Sequence, residues 1–433
     1  LDDEINMILE MGVDLRLDHR VDSMQALLKE DFDAVFVGTG APRGKELELP
    51  GRHDSDRIHI GIDWLESVAF EHTDSIGEKV LIIGVGNTAM DCCRTSLRLG
   101  GQDVKVMARK PRGHFKASAW ELEDAEEEQV EIVVNHSPRE FAIEDGKLVG
   151  MRFDHLEYSE DSAGNLESKV IGEEFLPCDD VILAIGQENA FEWIERDIGI
   201  TFDEWNVPVI DKTTHQSTRD GVFFGGDAAF GPENIIWAVE HGHQAAISIH
   251  RYCASQSLND RMPVGMNLAS TKMSIHEWSF SNDFDPSARR QMKHVDLQKR
   301  FDELNIEVEL GFSSEQAVIE IQRCLNCDVQ TVFNEKLCIE CDACIDVCPV
   351  LCLTITQNGK EAELRQRLTA PAENKDQAIF VSKGLPQTGR VMVKDEDLCV
   401  HCSLCAERCP TGAWDMRKST LLIPYAIDEE VAW

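Results

Sequence analysis

The segment "LCIECDACIDVCP", residues 337–349, carries four cysteines, and "LCVHCSLCAERCP", residues 398–410, carries four more in the same order. Each run reads C-x2-C-x2-C-x3-C-P. Three thiolates at this short spacing converge on three irons of one 4Fe–4S cube. The fourth, held at a turn by the proline that stops the local helix, aims at the other cube. That rule groups Cys338, Cys341 and Cys344 with Cys409, and Cys399, Cys402 and Cys405 with Cys348. Zinc also takes thiolates, but four ligands per zinc leave the third cysteine step and the Cys-Pro endings without a purpose. Disulfides are disfavoured, because the thiols cluster at metal-type spacing. Cys324 and Cys327, in "RCLNCD", stay open between ligands to a further cluster and plain thiols. Cys178, Cys253 and Cys352 read as small buried hydrophobes.

Upstream, "GEKVLIIGVGNTAMDCCRTSLRLGGQDVKVMARK" (77–110) reads as strand, glycine turn, amphipathic helix and strand. Gly84 permits the turn and Gly86 lets a pyrophosphate approach the backbone. The helix start at Asn87 and Thr88 offers amide donors and a positive dipole end. Asp91 sits one turn into that helix, as a dipole partner. After the next strand stand Arg109 and Lys110, with Arg112 nearby, where an acidic residue would favour NAD(H). Cations there suit a 2′-phosphate, so NADP(H) is favoured; the alternative is an ordinary solvated loop. Adjacent Cys92 and Cys93 are too close in sequence to act as a redox pair. In "FFGGDAAFGP" a strand ends at Gly225-Gly226 and Asp227 offers a carboxylate to sugar hydroxyls. A helix from about Glu233 then presents free amides suited to negative charge on a reduced flavin ring.

These groups need a scaffold, and 433 residues suffice for two or three domains. Ala34–Val37 reads as a buried strand followed by the tight turn Gly38-Thr39-Gly40, with further strands at "VEIVV" and "DDVILAIG". Residues 254–312 are polar and weakly patterned, as in a linker or peripheral wrap. The stretch 353–395 reads as an insertion on the cysteine-rich module. "EDAEEEQ" (123–129) reads as a solvated helix face, His241 and His243 as helix residues, and Phe230 and Trp237 as core or ring-packing positions.

The net charge of −37, with only 42 Lys and Arg, repels nucleic acid and anionic lipid. It leaves a solvated acidic face or a surface for a basic protein partner. No apolar run is long enough to span a membrane. The N-terminus, "LDDEINMILEMGVDLRL", lacks the basic start of a signal peptide and opens without Met inside a helical pattern, which reads as a fragment or processed product. The expected location is cytoplasmic.

Together "VFVGTGA", "IIGVGNTAMDCCRTSLRLG", "FKASAWELEDAEEEQVEI", "VILAIGQ" and "GVFFGGDAAFGPENIIWAVEHGHQAA" resemble the two-dinucleotide-binding-domain flavoproteins, most closely the glutamate synthase small-subunit-like family. The resemblance implies an α/β chain in which a Rossmann-like NAD(P)H domain (56–186) is inserted in an FAD domain whose parts fall in 1–55 and 187–253. A linker or wrap (254–323) and a small α+β bacterial-type two-cluster ferredoxin domain (324–433) complete the expected order. It implies Gly84, Gly86, Asn87, Thr88 and Asp91 at the nicotinamide nucleotide, Arg109 and Lys110 at its 2′-phosphate, and Thr39, Gly40, Gly226 and Asp227 at FAD. Asn234 and Ile235 would face the flavin, and Gly186 joins the cofactor-binding set. The family's first FAD fingerprint would lie before residue 1, so FAD is expected of the full-length protein. Combined chains of this kind resemble the iron-sulfur flavoprotein that accompanies dissimilatory sulfite reductase and NADPH:ferredoxin-type oxidoreductases. The implied activity moves electrons between NAD(P)H, FAD and two 4Fe–4S clusters, to or from another redox protein or the catalytic subunit of a larger complex. A glutamate-synthase partner and a non-catalytic wiring subunit are the alternatives.

Overall fold

The computed structural model describes residues 2–160, 166–261, 265–270, 287–323, 329–357, 379–396 and 398–422. They divide into two compact units: one holds 2–261 with Val295–Val308, the other the remaining described residues.

In the first unit the elements run α1 (Asp2–Glu10), α2 (Met24–Leu27), β1 (Val35–Val37), β2 (Arg43–Gly44), β3 (Ile58–Ile60), α3 (Gly61–Ala69), β4 (Lys79–Ile83), α4 (Asn87–Arg98), β5 (Asp103–Met107), α5 (Ala119–Glu127) and β6 (Glu131–Val133). They continue with β7 (His136–Glu144), β8 (Lys147–Glu160), β9 (Leu166–Pro177), β10 (Asp180–Leu183), β11 (Gln187–Glu188), β12 (Val222–Phe224), α6 (Asp227–Phe230) and α7 (Ile235–Cys253). Strands β3-β10-β4-β5-β6 form a parallel sheet in that order. The "VLII" of β4 and "DVIL" of β10 are buried throughout, as strands covered on both faces require. Trp64 and Val68 of α3 and Ala89, Met90, Cys92 and Cys93 of α4 cover one face. The antiparallel sheet β7-β8-β9 covers the other through Phe141, Met151 and Phe153. Cys92 and Cys93 are thus packing groups, and burial pushes the Cys93 thiol up to about 12.

Strands β1 and β12 pair in parallel, Val37 opposite Phe224, over a separate core that includes Met24, Phe191 and Ile198. The short antiparallel pair β2 and β11 is adjacent in sequence to both parts, with Lys45 donating its amide to the Gly186 carbonyl at 2.9 Å.

One expectation needs correction here. Glu128, in the run read as a solvated face, has a fully buried carboxylate held by Arg94 at 3.1 Å and Arg98 at 2.8 Å. Residues 295–308, read as part of a linker or wrap, pack within this unit as a wrap would and bury Arg300, whose guanidinium reaches Glu127 at 3.0 Å and Glu128 at 3.8 Å. Four long-range charges meeting at one point leave no periodic trace in sequence.

The second unit contains β13 (Gly265–Ser270), α8 (Ser314–Ile321), β14 (Val329–Phe333), α9 (Ala343–Asp346), β15 (Leu353–Thr356), β16 (Ile379–Val381), β17 (Val391–Asp395), α10 (Leu404–Arg408) and β18 (Trp414–Leu422). Its sheets run β13-β18-β14 and β15-β17-β16, all antiparallel. The span read as an insertion begins and ends in strands of this unit, Thr354 opposite Val393, with Leu353 and Met392 in its core. Leu353 and Ile355, alternating with threonines, and the short apolar run Val391–Val393 carry that pairing; residues 358–378 lie outside the described residues, as do Cys324 and Cys327.

Candidate functional site

The two cysteine runs adopt the same backbone course. After the first cysteine of each, left-handed residues turn the chain: Glu340 and Asp342 in one, His401 and Ser403 in the other. Short helices α9 and α10 follow, and each run closes at Cys-Pro, since proline cannot continue a helix. The side chains gather in two cavities. Cys338, Cys341, Cys344 and Cys409 line one; Cys348, Cys399, Cys402 and Cys405 line the other.

These residues fit a four-iron cube. Four sulfurs drawn from both runs face each space, while Phe333, Ile355 and Met392 wall the first with apolar groups. Backbone amides donate to sulfur, Glu340 to Cys338 at 3.4 Å and Ala413 to Cys409 at 3.2 Å, which stabilises a thiolate. Glu340 is itself fixed by Arg390 at 2.7 Å and the Thr388 hydroxyl at 2.6 Å. Burial pushes the Cys344 thiol up to about 11, so metal binding there displaces a proton. The second cavity differs. It includes the buried Lys394, paired with Glu396 at 2.7 Å, and a fifth thiol, Cys352, whose Sγ lies 3.5 Å from that of Cys348. The Cys352 hydrogen bonds hold Cys348 and Cys399 well below the usual thiol range and raise Cys352 itself. Cys352 is buried as the sequence suggests, Cys253 is exposed, and neither the cavity position of Cys352 nor Lys394 was legible from spacing.

The upstream turn sits between β4 and α4. Gly84 has φ +125°, and a Cβ there would lie 2.2 Å from the Ala184 carbonyl of the neighbouring strand end. Gly86 caps α4 in an extended conformation, and a Cβ there would meet only open space. Asn87 accepts from the Ser118 amide at 2.9 Å, and Val85 accepts from the amides of Lys116 and Ala117, so residues 116–118 bracket the turn. Thr88 is half-buried, and Asp91 is exposed. Beyond β5, Arg109 and Lys110 are exposed, and the Tyr158 hydroxyl pins the Arg109 carbonyl at 2.8 Å. Arg112, by contrast, is paired with Glu126.

Thr39 and Gly40 follow β1, and Gly226 and Asp227 follow β12, so strand pairing brings the two turns together at the carboxyl ends. Gly226 has φ +60° and ψ −154°, a conformation reserved for glycine, and its amide donates to His241 Nδ1 at 3.2 Å. His241 stacks on Phe230 at 4.0 Å, so Phe230 is the ring-packing position expected of it. Asp227 accepts from the Glu233 amide at 3.2 Å, and Asn234 caps α7 through the Trp237 amide at 3.1 Å. The helix begins at Ile235, two residues later than expected, with Ile235, Ile236 and Trp237 exposed; of its two readings Trp237 fits ring packing, its indole stacked on His241 at 6.1 Å. Gly186, at φ +114°, follows β10 just after Ala184 and Ile185, the backbone that a Cβ on Gly84 would meet.

The model of the pyridine nucleotide-disulphide oxidoreductase family matches residues 4–242. The chain belongs to that family. A 4Fe-4S dicluster domain model matches residues 337–413, spanning all eight cysteines of the two runs. The beta subunit of NADPH-Fe(3+) oxidoreductase from Geobacter sulfurreducens is 31% identical over 354 residues, covering 75% of this chain and 53% of that one. The beta subunit of NADP(+)-dependent formate dehydrogenase from Moorella thermoacetica is 30% identical, covering 75% and 46%. The glutamate synthase [NADPH] small chain of Azospirillum brasilense is 31% identical over 250 residues, covering 53% and 51%, which bears out the expected kinship. The chain spans about half the length of the curated relatives it matches. Among the described residues no helix is long and apolar enough to cross a membrane.

Proposed function

We propose that this chain carries electrons between NADPH and a partner redox protein, through FAD and two 4Fe–4S clusters. The supporting observation is the presence, in one chain, of two four-cysteine cavities, a Gly84–Gly86 turn at the start of α4, and exposed Arg109 and Lys110 after β5. The eight cysteines would hold the clusters, four to each cavity. Gly86 leaves room for a pyrophosphate, and the first-turn amides of α4 face it. Arg109 and Lys110 would bind the 2′-phosphate, having no ion pair of their own among the described residues. Thr39, Gly40, Gly226 and Asp227 would border FAD, where the exposed apolar start of α7 offers a surface for a planar ring. When bound, FAD supplies the conversion of a hydride's two electrons into single electrons that the clusters can carry. The chain's own residues position and polarise; none acts as a nucleophile. NADPH-named and NADP(+)-named relatives support the same choice of nucleotide. We assign the protein to the cytoplasm, because so many free thiols suit a reducing compartment.

Anaerobic titration of the native protein with NADPH and with NADH tests this reading. NADPH should bleach the flavin at lower concentration, and the R109A/K110A variant should weaken NADPH about tenfold while leaving NADH unchanged. Reduction by NADH but not NADPH overturns the assignment.

A further inference from the structure

The two halves of the cluster-bearing unit repeat with a constant offset that maps Cys338, Cys341, Cys344 and Cys348 onto Cys399, Cys402, Cys405 and Cys409. The backbone keeps the repeat past the last cysteine, where left-handed Leu351 corresponds to left-handed Gly412. The next position breaks it. Residue 352 is cysteine, and its counterpart, residue 413, is alanine. Both are buried, and each lines the cavity of its own half's last cysteine. The fold therefore needs no sulfur at this point, yet one cavity has it, 3.5 Å from the Cys348 sulfur. The Asp395 amide donates to the Cys352 carbonyl at 2.9 Å and fixes its backbone beside the cavity.

We propose that Cys352 is a reserve ligand for the cluster that Cys348 completes. This rests on reading the cavities as cluster sites. In the exchange the iron–sulfur bond to Cys348 breaks, one to Cys352 forms, and the Cys352 proton passes to the Cys348 sulfur. No electron is gained or lost, and the cube keeps its iron and sulfide. At the corresponding position of the other cavity, Ala413 offers no donor.

Iron and acid-labile sulfide counts, with EPR after dithionite, test this on the native protein and its variants. Wild type, C352A and C348A should each hold about eight irons, and C348A/C352A about four. The C348A signal should shift from that of wild type, since its ligand has moved. Iron in C348A as low as in the double variant overturns the proposal. If C348A fails to fold by circular dichroism, the transplant decides: C409A should lose about half its iron and C409A/A413C should regain it. No recovery in folded C409A/A413C overturns the proposal. Wild type without iron would instead overturn the cluster reading itself.

Discussion

Glu128 shows how a single side chain can hold an element in place and how its environment sets its acidity. Burial alone would raise its pKa, but hydrogen bonds from Arg98 and Arg94 outweigh burial and hold the carboxyl below the usual glutamate range. The folded chain therefore binds this proton less readily than the unfolded one. Its contribution is complete above the ordinary glutamate range and disappears as the pH falls through the lower folded value. E128Q should cost about 3 kcal/mol in urea denaturation at neutral pH, because three arginines lose a buried partner. The same variant should flatten the acid limb of stability against pH; an unchanged limb would remove Glu128 from the account. Lys394 is the corresponding buried cation in the second unit. A positive charge beside one cluster favours its reduced form, so K394M should lower one of two midpoint potentials by roughly 50 mV in an EPR-monitored redox titration. Equal shifts in both, or none, would contradict that placement. Neither residue was legible beforehand, because composition and spacing do not say which charge turns inward.

At the scale of elements, the strand–glycine–helix unit around Gly84 was legible, since buried β4, the turn residues and the amphipathic α4 each leave a local pattern. The two glycines make separable predictions. G84A places a Cβ against the Ala184 carbonyl at a positive φ, so it should destabilise the fold by about 2 kcal/mol or more and lower nucleotide affinity with it. G86A meets open space at a negative φ, so its thermal midpoint should stay near wild type while NADPH affinity falls. Thermal unfolding beside equilibrium binding distinguishes them; a stable, nucleotide-binding G84A would contradict the geometry. The cysteine runs were equally legible, down to the partition of the fourth cysteine between cavities, because ligand spacing is a local property. The pairing of β15 with β17 across the supposed insertion was not, since an antiparallel partner many residues away leaves only a short apolar pattern in each strand. For the 295–308 segment the sequence left linker and wrap undecided. Its hold on the first unit comes from Arg300 and long-range ion pairs rather than an apolar stripe.

Across the whole molecule, a unit with a strand–glycine–helix turn and a unit with two cysteine cavities occur in one acidic chain, and in the proposed function each would supply a different half of an electron path. The first contributes the Gly84–Gly86 turn and exposed cations. The second contributes eight sulfurs arranged as two sets of four. For the proposed electron transfer, a net charge of −37 would favour a basic partner. EPR of the native protein, kept anaerobic and reduced first with NADPH and then with dithionite, tests the central claim most directly. The account predicts a reduced-cubane signal with NADPH that grows to about two spins per chain with dithionite. A spectrum that stays silent after both reductants would contradict it.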